Sequence, residues 1–477
     1  MSNVRKSVAI NLAQNYGVMV LQFASSIILA RILSPSEIGV YSVAASLIAL
    51  AQAVRDFGVG QYIIQEHDLT QDRIRSAFAA ALIVAFSLAI LTAAFATPAA
   101  EFFKENGIRN VLFVLALNFL VIPFGQISLA CLQREMKFSQ IAQSKIFSAI
   151  IYAVVVLWLA YQGHSYMSLA WASLAATIAS VVVATIYRPK YLPWRPGFSQ
   201  MRRIMTFGSL SVGSNLAAAF AKGTPDLVIG RLMNMETVGL LSRANGLVEI
   251  FNQGVMNAVW AVALPHFSKT VRDGGDLKIE YLRSATMLTG VAWSFFVFLA
   301  IMAEPLISIL YGEKWLDCVP LVKWVCFGYI AIAPFYLYGS ILVATGNIKL
   351  NLYIEAGCLF LQFMLYILAG LFGGLEMVAA VKFVYEFVKA VAIYFVFKKI
   401  IYLNFVEFVG SLWKSLIVAT VSGMCCFVLI EMLNGSYGTN LILMSIGSFG
   451  ALIGWLASIV GVNHLLRNEL LRLLKIS

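Results

Sequence analysis

Apolar residues run along this chain in long blocks, separated by short polar stretches rich in glycine and proline. A helix needs about 20 predominantly apolar residues to cross a bilayer. Segments of that kind can be placed at 9–30, 38–63, 76–97, 108–129, 140–161, 165–187, 205–229, 237–264, 284–310, 320–344, 350–371, 375–397, 408–430 and 441–463. The breaks between them carry turn-favouring residues: Ser34-Pro35, Thr97-Pro98, Gly163, Gly274-Gly275, Gly312, Gly346-Asn347, Gly373-Gly374 and Asn434-Gly435. The pattern predicts an all-α integral membrane protein with about fourteen transmembrane helices.

Composition strengthens that reading. Of 477 residues, 61% are hydrophobic and 12% charged, and the mean hydropathy is +0.85. Soluble domains carry roughly 25% charged residues. The opening MSNVRKS followed by an apolar run invites comparison with a signal peptide, but Asn11, Gln14, Asn15 and Gln22 are foreign to a signal h-region. The segment is read as a retained first span.

The net charge of +11 sits in clusters between apolar runs, with no basic face interleaved with aromatics, so no nucleic-acid partner is expected. If the N-terminus starts in the cytoplasm and the spans alternate, the inner side collects most of the basic residues, in clusters such as Arg73/Arg75, Arg134/Lys137, Arg202/Arg203 and Lys398/Lys399. The outer side keeps Arg31, Lys104, Arg109, Arg231, Lys314 and Lys323. This is the positive-inside asymmetry, and it puts both termini in the cytoplasm.

Motifs for soluble chemistry are missing. There is no Walker A sequence, no GxSxG and no HExxH, and the six cysteines and four histidines show no zinc spacing. No cofactor, metal or catalytic residue is expected, and the chain is not read as an enzyme.

Polar residues inside the spans carry more information. An offset of 200 residues aligns ARILSPSEIGVYS, from Ala30, with GRLMNMETVGLLS, from Gly230, without a gap. Arg31, Gly39, Ser42, Ala44 and Leu47 then match Arg231, Gly239, Ser242, Ala244 and Leu247. Such duplication is common in transporters. The first span has Asn11, Asn15, Gln22 and Ser26 on one helical face, and the seventh has Ser211, Asn215, Lys222 and Asp226 at the same offset. Polar groups are costly in lipid, so these faces are expected to turn toward a cavity or the bundle interior. The eighth span adds Arg243, Asn245, Glu249, Asn252 and Gln253, and the twelfth adds Lys382, Glu386 and Lys389. Asn15, Gln22, Asn215, Lys222, Asp226, Arg243 and Glu249 are the candidate transport path. Lys222 and Asp226, one turn apart around Pro225, are read either as a structural ion pair or as groups that meet the substrate.

Three stretches resemble a known family. RILSPSEIGVYSVAASLIALAQAVRDFGVGQYIIQ (Arg31 to Gln65), CLQREMKFSQIAQSKI (from Cys131) and GRLMNMETVGLLSRANGLVEI (from Gly230) are similar to the polysaccharide transporter branch, the Wzx-type flippases, of the multidrug/oligosaccharidyl-lipid/polysaccharide (MOP) exporter superfamily. The resemblance implies two six-helix lobes in a pseudo-symmetric, MATE-like arrangement plus two C-terminal helices. The corresponding divisions are an N-terminal lobe at 1–187, a cytoplasmic linker at 188–204, a C-terminal lobe at 205–400, and two further spans with a tail at 401–477. It also implies a bacterial cytoplasmic-membrane protein that moves undecaprenyl-diphosphate-linked oligosaccharide to the outer leaflet. Its partners would be that lipid-linked oligosaccharide, membrane lipids, and the polymerase and export machinery of surface polysaccharide. Two alternatives stand beside it: a drug/cation antiporter of the same superfamily, and a membrane enzyme acting on polyprenyl-linked sugars.

The topology is directly testable. Reporter fusions at Gly163, Gly312 and Asn434 are expected to read outside, and fusions at Phe198, Gly274 and Ser477 inside. Inversion that persists beyond any one span would overturn the count.

Overall fold

The computed structural model describes residues 2–56, 58–433 and 440–474, with the side chains of 2–13, 202–203, 206–211, 214, 433 and 473–474 left out. The side chains of Asn11, Ser211, Arg202 and Arg203, the turn at Asn434-Gly435, and Ser477 therefore lie outside the described residues. The chain forms two compact units, Met1–Gly239 and Leu240–Ser477.

In unit 1 the helices are α1 (Ser2–Ile32), α2 (Pro35–Arg55), α3 (Val59–Gln65), α4 (Gln71–Phe103), α5 (Asn106–Arg134), α6 (Phe138–Tyr161), α7 (Met167–Ile186) and α8 (Met201–Leu232). Helix α9 (Met235–Phe251) leads into unit 2 and continues through a π turn, Asn252–Met256, into α10 (Asn257–Arg272). There follow α11 (Leu277–Ile301), α12 (Ala303–Leu310), α13 (Cys318–Ile332), α14 (Tyr338–Ala344), α15 (Ile348–Phe372), α16 (Leu375–Ile400), α17 (Phe405–Leu433), α18 (Asn440–Gly461) and α19 (Leu465–Leu474).

Among the described residues, twelve helical stretches are long and apolar enough to cross a membrane. Two more have the length: α8, with 32 residues, whose apolar first half lies largely among the side chains left out, and α16, with 26, whose apolar run is interrupted by Lys382, Glu386 and Lys389. These are two of the fourteen segments expected from sequence. Four expected spans are interrupted, the ninth at Met302 between α11 and α12. The second breaks at Asp56 to Gly58, where Gly58 takes a left-handed φ of 68°. The eighth holds the π turn, and the tenth passes through a 3₁₀ turn at Ala333–Phe335 around Pro334. Conversely, the break expected at Thr97-Pro98 is not there. Pro98 lies inside α4, which runs on to Phe103 and stops at Lys104, in a left-handed conformation. A proline costs a spanning helix one hydrogen bond, and packing neighbours offset that loss. The stretch after α18 holds one more helix, α19 (LLRNELLRLL), which is amphipathic.

The start of α2 is fixed locally. Ser34 Oγ accepts from Glu37 N at 3.3 Å, Glu37 Oε2 accepts from Ser34 N at 2.6 Å, and Pro35 fills the first helical position. This is a capping box. At the repeat-related position, Asn234 Oδ1 accepts from Thr237 N at 2.8 Å at the start of α9. The two helix starts cross at matching glycines. A Cβ on Gly39 would lie 1.7 Å from the Met235 carbonyl oxygen, and a Cβ on Gly239 would lie 1.9 Å from that of Pro35. Only glycine admits so close a backbone approach.

Helix α8 packs on α2 through Gly223 and Gly230, where an added Cβ would meet Ser46 Cβ at 3.3 Å and Val43 Cγ2 at 2.8 Å. Small residues let spanning helices approach closely. The sequence division at 188–204 follows the duplication; the compact units follow packing, which groups α8 with the first six spans.

The stretch before α8 is folded against unit 1. Gly197 N donates to Arg75 O at 3.1 Å, Gln200 N donates to Ser76 Oγ at 3.1 Å, and Leu192 is buried among Ile74, Phe78, Cys131 and Ile204. The Arg188 guanidinium lies 3.7 Å from the Trp194 ring centre. The Tyr191 hydroxyl donates to Glu135, which also pairs with Lys137 at 2.7 Å. Lys137 first, and then Tyr191, hold the Glu135 carboxyl below the usual carboxylate range.

Gly39→Ala or Gly239→Ala is expected to lower the thermal midpoint of the purified protein, because overpacking of this kind costs about 1–3 kcal/mol. Gly246→Ala, where nothing lies within 4 Å, should leave it unchanged. Equal midpoints for all three variants would show that the crossing is not tight.

Candidate functional site

Unit 1 has an open cavity of about 870 Å³ at the break between α2 and α3. Its walls come from α3, α5, α6 and α7. Ile122, Gln126, Leu129 and Gln133 line it from α5 at helical spacing, and Ser173, Thr177 and Ser180 do so from α7. Its hydroxyls are partly committed: Ser148 Oγ donates to Ala176 O at 2.9 Å and Thr177 Oγ1 to Ser173 O at 2.9 Å. Ser180 Oγ lies 3.0 Å from Ser144 Oγ. Its two charged residues, Arg55 and Asp56, are joined by an ion pair of 2.6 Å.

Unit 2 holds a smaller pocket of about 420 Å³, at the break between α13 and α14. Trp260, Tyr329, Tyr336 and Tyr338 supply aromatic walls, and Glu355, Glu386 and Lys389 supply charge. Every one of these charges has a counter-ion. Lys389 Nζ lies 3.1 Å from Glu355 Oε1, and Lys382 Nζ lies 2.6 Å from Glu386 Oε1. Lys382 also sits over the Tyr329 ring at 5.0 Å. The i,i+4 pair of α16 is as its spacing suggests. The link from Lys389 to Glu355 joins α16 to α15 and has no signature within either helix.

The candidate path residues are distributed over several environments. Asn15 and Gln22 are uncovered on α1. Asn215 is half-buried, donates to the Asp56 carbonyl at 3.4 Å and lines the unit 1 cavity. Lys222 is exposed. Asp226 lies between Gly223 and Gly230 and accepts from Ser46 Oγ at 2.9 Å. Among the described residues no ion pair joins it to Lys222, so its partner comes from α2. Arg243 lies over the rings of Tyr311 and Trp315 at 5.9 and 5.8 Å. Glu249 Oε2 accepts from Asn252 Nδ2 at 3.0 Å, where the π turn begins. π turns recur at functional sites. The amides Gln61, Gln126 and Gln133 were not among the expected residues. The signal that points to them is the seven-residue spacing of Gln126 and Gln133 on one face of an otherwise apolar span.

Similarity to known proteins follows the same lines. The chain is 24% identical over 426 residues to the teichuronic acid biosynthesis protein TuaB of Bacillus subtilis (strain 168), covering 86% of this chain and 85% of that one. It is 28% identical over 330 residues to the succinoglycan biosynthesis transport protein ExoT of Rhizobium meliloti (strain 1021), covering 67% and 65%. Its fold matches the lipid II flippase MurJ in an inward closed conformation with a TM-score of 0.77, at 13% identity and over 96% of this chain and all of that one (100%). Residues 28–320 match the profile of the polysaccharide biosynthesis protein family, and this multi-pass membrane protein belongs to that family.

Proposed function

We propose that the protein carries a polyprenyl-diphosphate-linked oligosaccharide from the cytoplasmic to the outer leaflet of a bacterial inner membrane, for surface polysaccharide assembly. The family match over 28–320 carries the reading, and the geometry of the helices agrees with it. Such a lipid keeps its tail in the bilayer while its sugars need a polar route. Polar cavities among apolar helices, opened where spans break, supply polar surface of that kind. Transport by changes of shape, rather than bond-making, is the role these groups suit.

Several finer points belong to the same proposal. Adding α8 and α16 to the twelve apolar stretches gives fourteen spans, which returns both termini to the cytoplasm. Helices of 1–187 and 205–400 act as two lobes, with α17 and α18 as additions. Asn15, Gln22, Asn215, Lys222, Asp226, Arg243 and Glu249 border the route, and a polymerase and export machinery receive the product. The antiporter reading favours an acidic, aromatic pocket. The unit 2 pocket has the aromatic walls, but Glu355 and Glu386 are neutralised by Lys389 and Lys382.

Deletion of the gene is expected to abolish surface polymer while lipid-linked intermediates accumulate on the cytoplasmic leaflet. Normal polymer with altered resistance to cationic drugs would favour the antiporter. Lys222→Ala should reach normal abundance, since the residue is exposed, yet lower polymer display through loss of a cation for the diphosphate. Unchanged display would remove Lys222 from the route.

A further inference from the structure

The unit 1 cavity has an unusual inventory of polar groups for a chamber inside a membrane protein. Four carboxamides face it: Asn215 from α8, which donates to Asp56 O at 3.4 Å, and three glutamines, Gln61 from α3 and Gln126 and Gln133 from one face of α5. Among the described residues, none of the three glutamine side chains makes a hydrogen bond within the protein. A carboxamide offers two donors and an acceptor; Gln61 and Gln133 present theirs exposed and Gln126 half-buried, so all three are available to a ligand. The cavity's hydroxyls differ. Ser148 and Thr177 have spent their protons on backbone carbonyls, so what they still offer is acceptor oxygen.

Formal charge narrows the ligand. The only charged side chains on the wall, among the described residues, are Arg55 and Asp56, and they cancel within their 2.6 Å pair. A diphosphate would find no free cation here and would have to break that pair to gain one. A neutral ring bearing hydroxyls finds both donors and acceptors, and Ile122 and Leu129, on the same face of α5 as the amides, give its C–H surface an apolar bed. The volume of about 870 Å³ falls within the range of about 300–1,000 Å³ typical of small-ligand sites.

We infer that the unit 1 cavity is a subsite for the neutral sugar portion of the cargo, read by Gln61, Gln126 and Gln133, and that the diphosphate binds elsewhere. This rests on the transport reading above and deepens it. The selectivity of the chamber is then for hydroxyl pattern rather than for charge.

The test uses the full-length protein in proteoliposomes, with the six native cysteines replaced and Leu129→Cys as a reporter that leaves all three glutamines in place. Labelling by a membrane-impermeant maleimide is timed with two probes: undecaprenyl diphosphate without sugar, and polyprenyl-diphosphate-linked oligosaccharide extracted from the deletion strain. The sugar-bearing lipid should slow labelling and the bare lipid should not. Adding Gln126→Met and Gln133→Met should weaken that protection about tenfold or more, the worth of one or two hydrogen bonds. Thr177→Cys serves as the reporter if Leu129→Cys does not accumulate, and either single Gln→Met change replaces the double one on the same ground. Equal protection by both lipids overturns the inference, as does protection that survives loss of the amides. No protection by either lipid, where deletion still abolishes surface polymer, overturns the subsite and leaves the transport reading standing. A deletion strain with normal polymer removes the transport reading and the subsite with it.

Discussion

Inside a bilayer, an amide or carbonyl that loses its helical partner has no solvent to turn to, and each unmet group costs several kcal/mol. Both cavities sit where that constraint is tested. At the far end of α3, the Arg134 guanidinium gathers the carbonyls of Ile63 and Glu66 at 2.7 and 2.6 Å and ties off that helix. At the break between α13 and α14, the Tyr281 hydroxyl donates to Pro334 O at 3.0 Å, Trp293 Nε1 to Ile330 O at 2.8 Å and Trp260 Nε1 to Tyr336 O at 3.3 Å. Side chains from neighbouring helices take over the bonds that the interrupted helices give up. The interruptions are thus held open, and the chambers beside them follow.

The same constraint governs charge. Removing one member of a buried ion pair strands the other at a cost of about 3–5 kcal/mol. In unit 2, Lys382 with Glu386 comes near to such a pair, whereas Glu355 beside Lys389, and Asp56 beside Arg55 in unit 1, keep exposed carboxylates and stand to lose less. Asp226 is held differently, by a hydroxyl on the opposing helix and a close-packed seam of glycines around it. Its surroundings are those of a residue that joins two helices, whereas Lys222, one turn earlier, stays uncovered. The two residues paired by spacing in the sequence therefore sit in different surroundings.

Much of the fold was legible in the sequence because spanning helices announce themselves by length and apolarity. The i,i+4 pair of α16 was legible for the same reason, since both partners lie on one helix. The interruptions were less so. Pro334 marks a real break while Pro98 does not, and the difference lies in neighbours that no local pattern shows. Of the amides in the unit 1 cavity, Asn215 was legible from the seventh span, whereas Gln61, Gln126 and Gln133 lie outside the first and seventh spans and carry no charge, although Gln126 and Gln133 are an unusual pair for an apolar helix. Links such as Glu355 to Lys389 or Ser46 to Asp226 cross between helices and become visible only when the helices are packed.

The glycine crossing carries one more consequence. Gly39 approaches the carbonyl of Met235 as Gly239 approaches that of Pro35, so each side of the contact is the counterpart of the other. A contact of that kind is isologous, like the interface of a twofold dimer, except that one chain supplies both faces. A change on either face must be tolerated by the other, which leaves the positions on the axis little freedom to vary. Residues off the axis carry no such obligation. The starts of α2 and α9 are thereby tied to one another, while residues farther along each helix are free to differ, Ser46 on the one and Glu249 on the other.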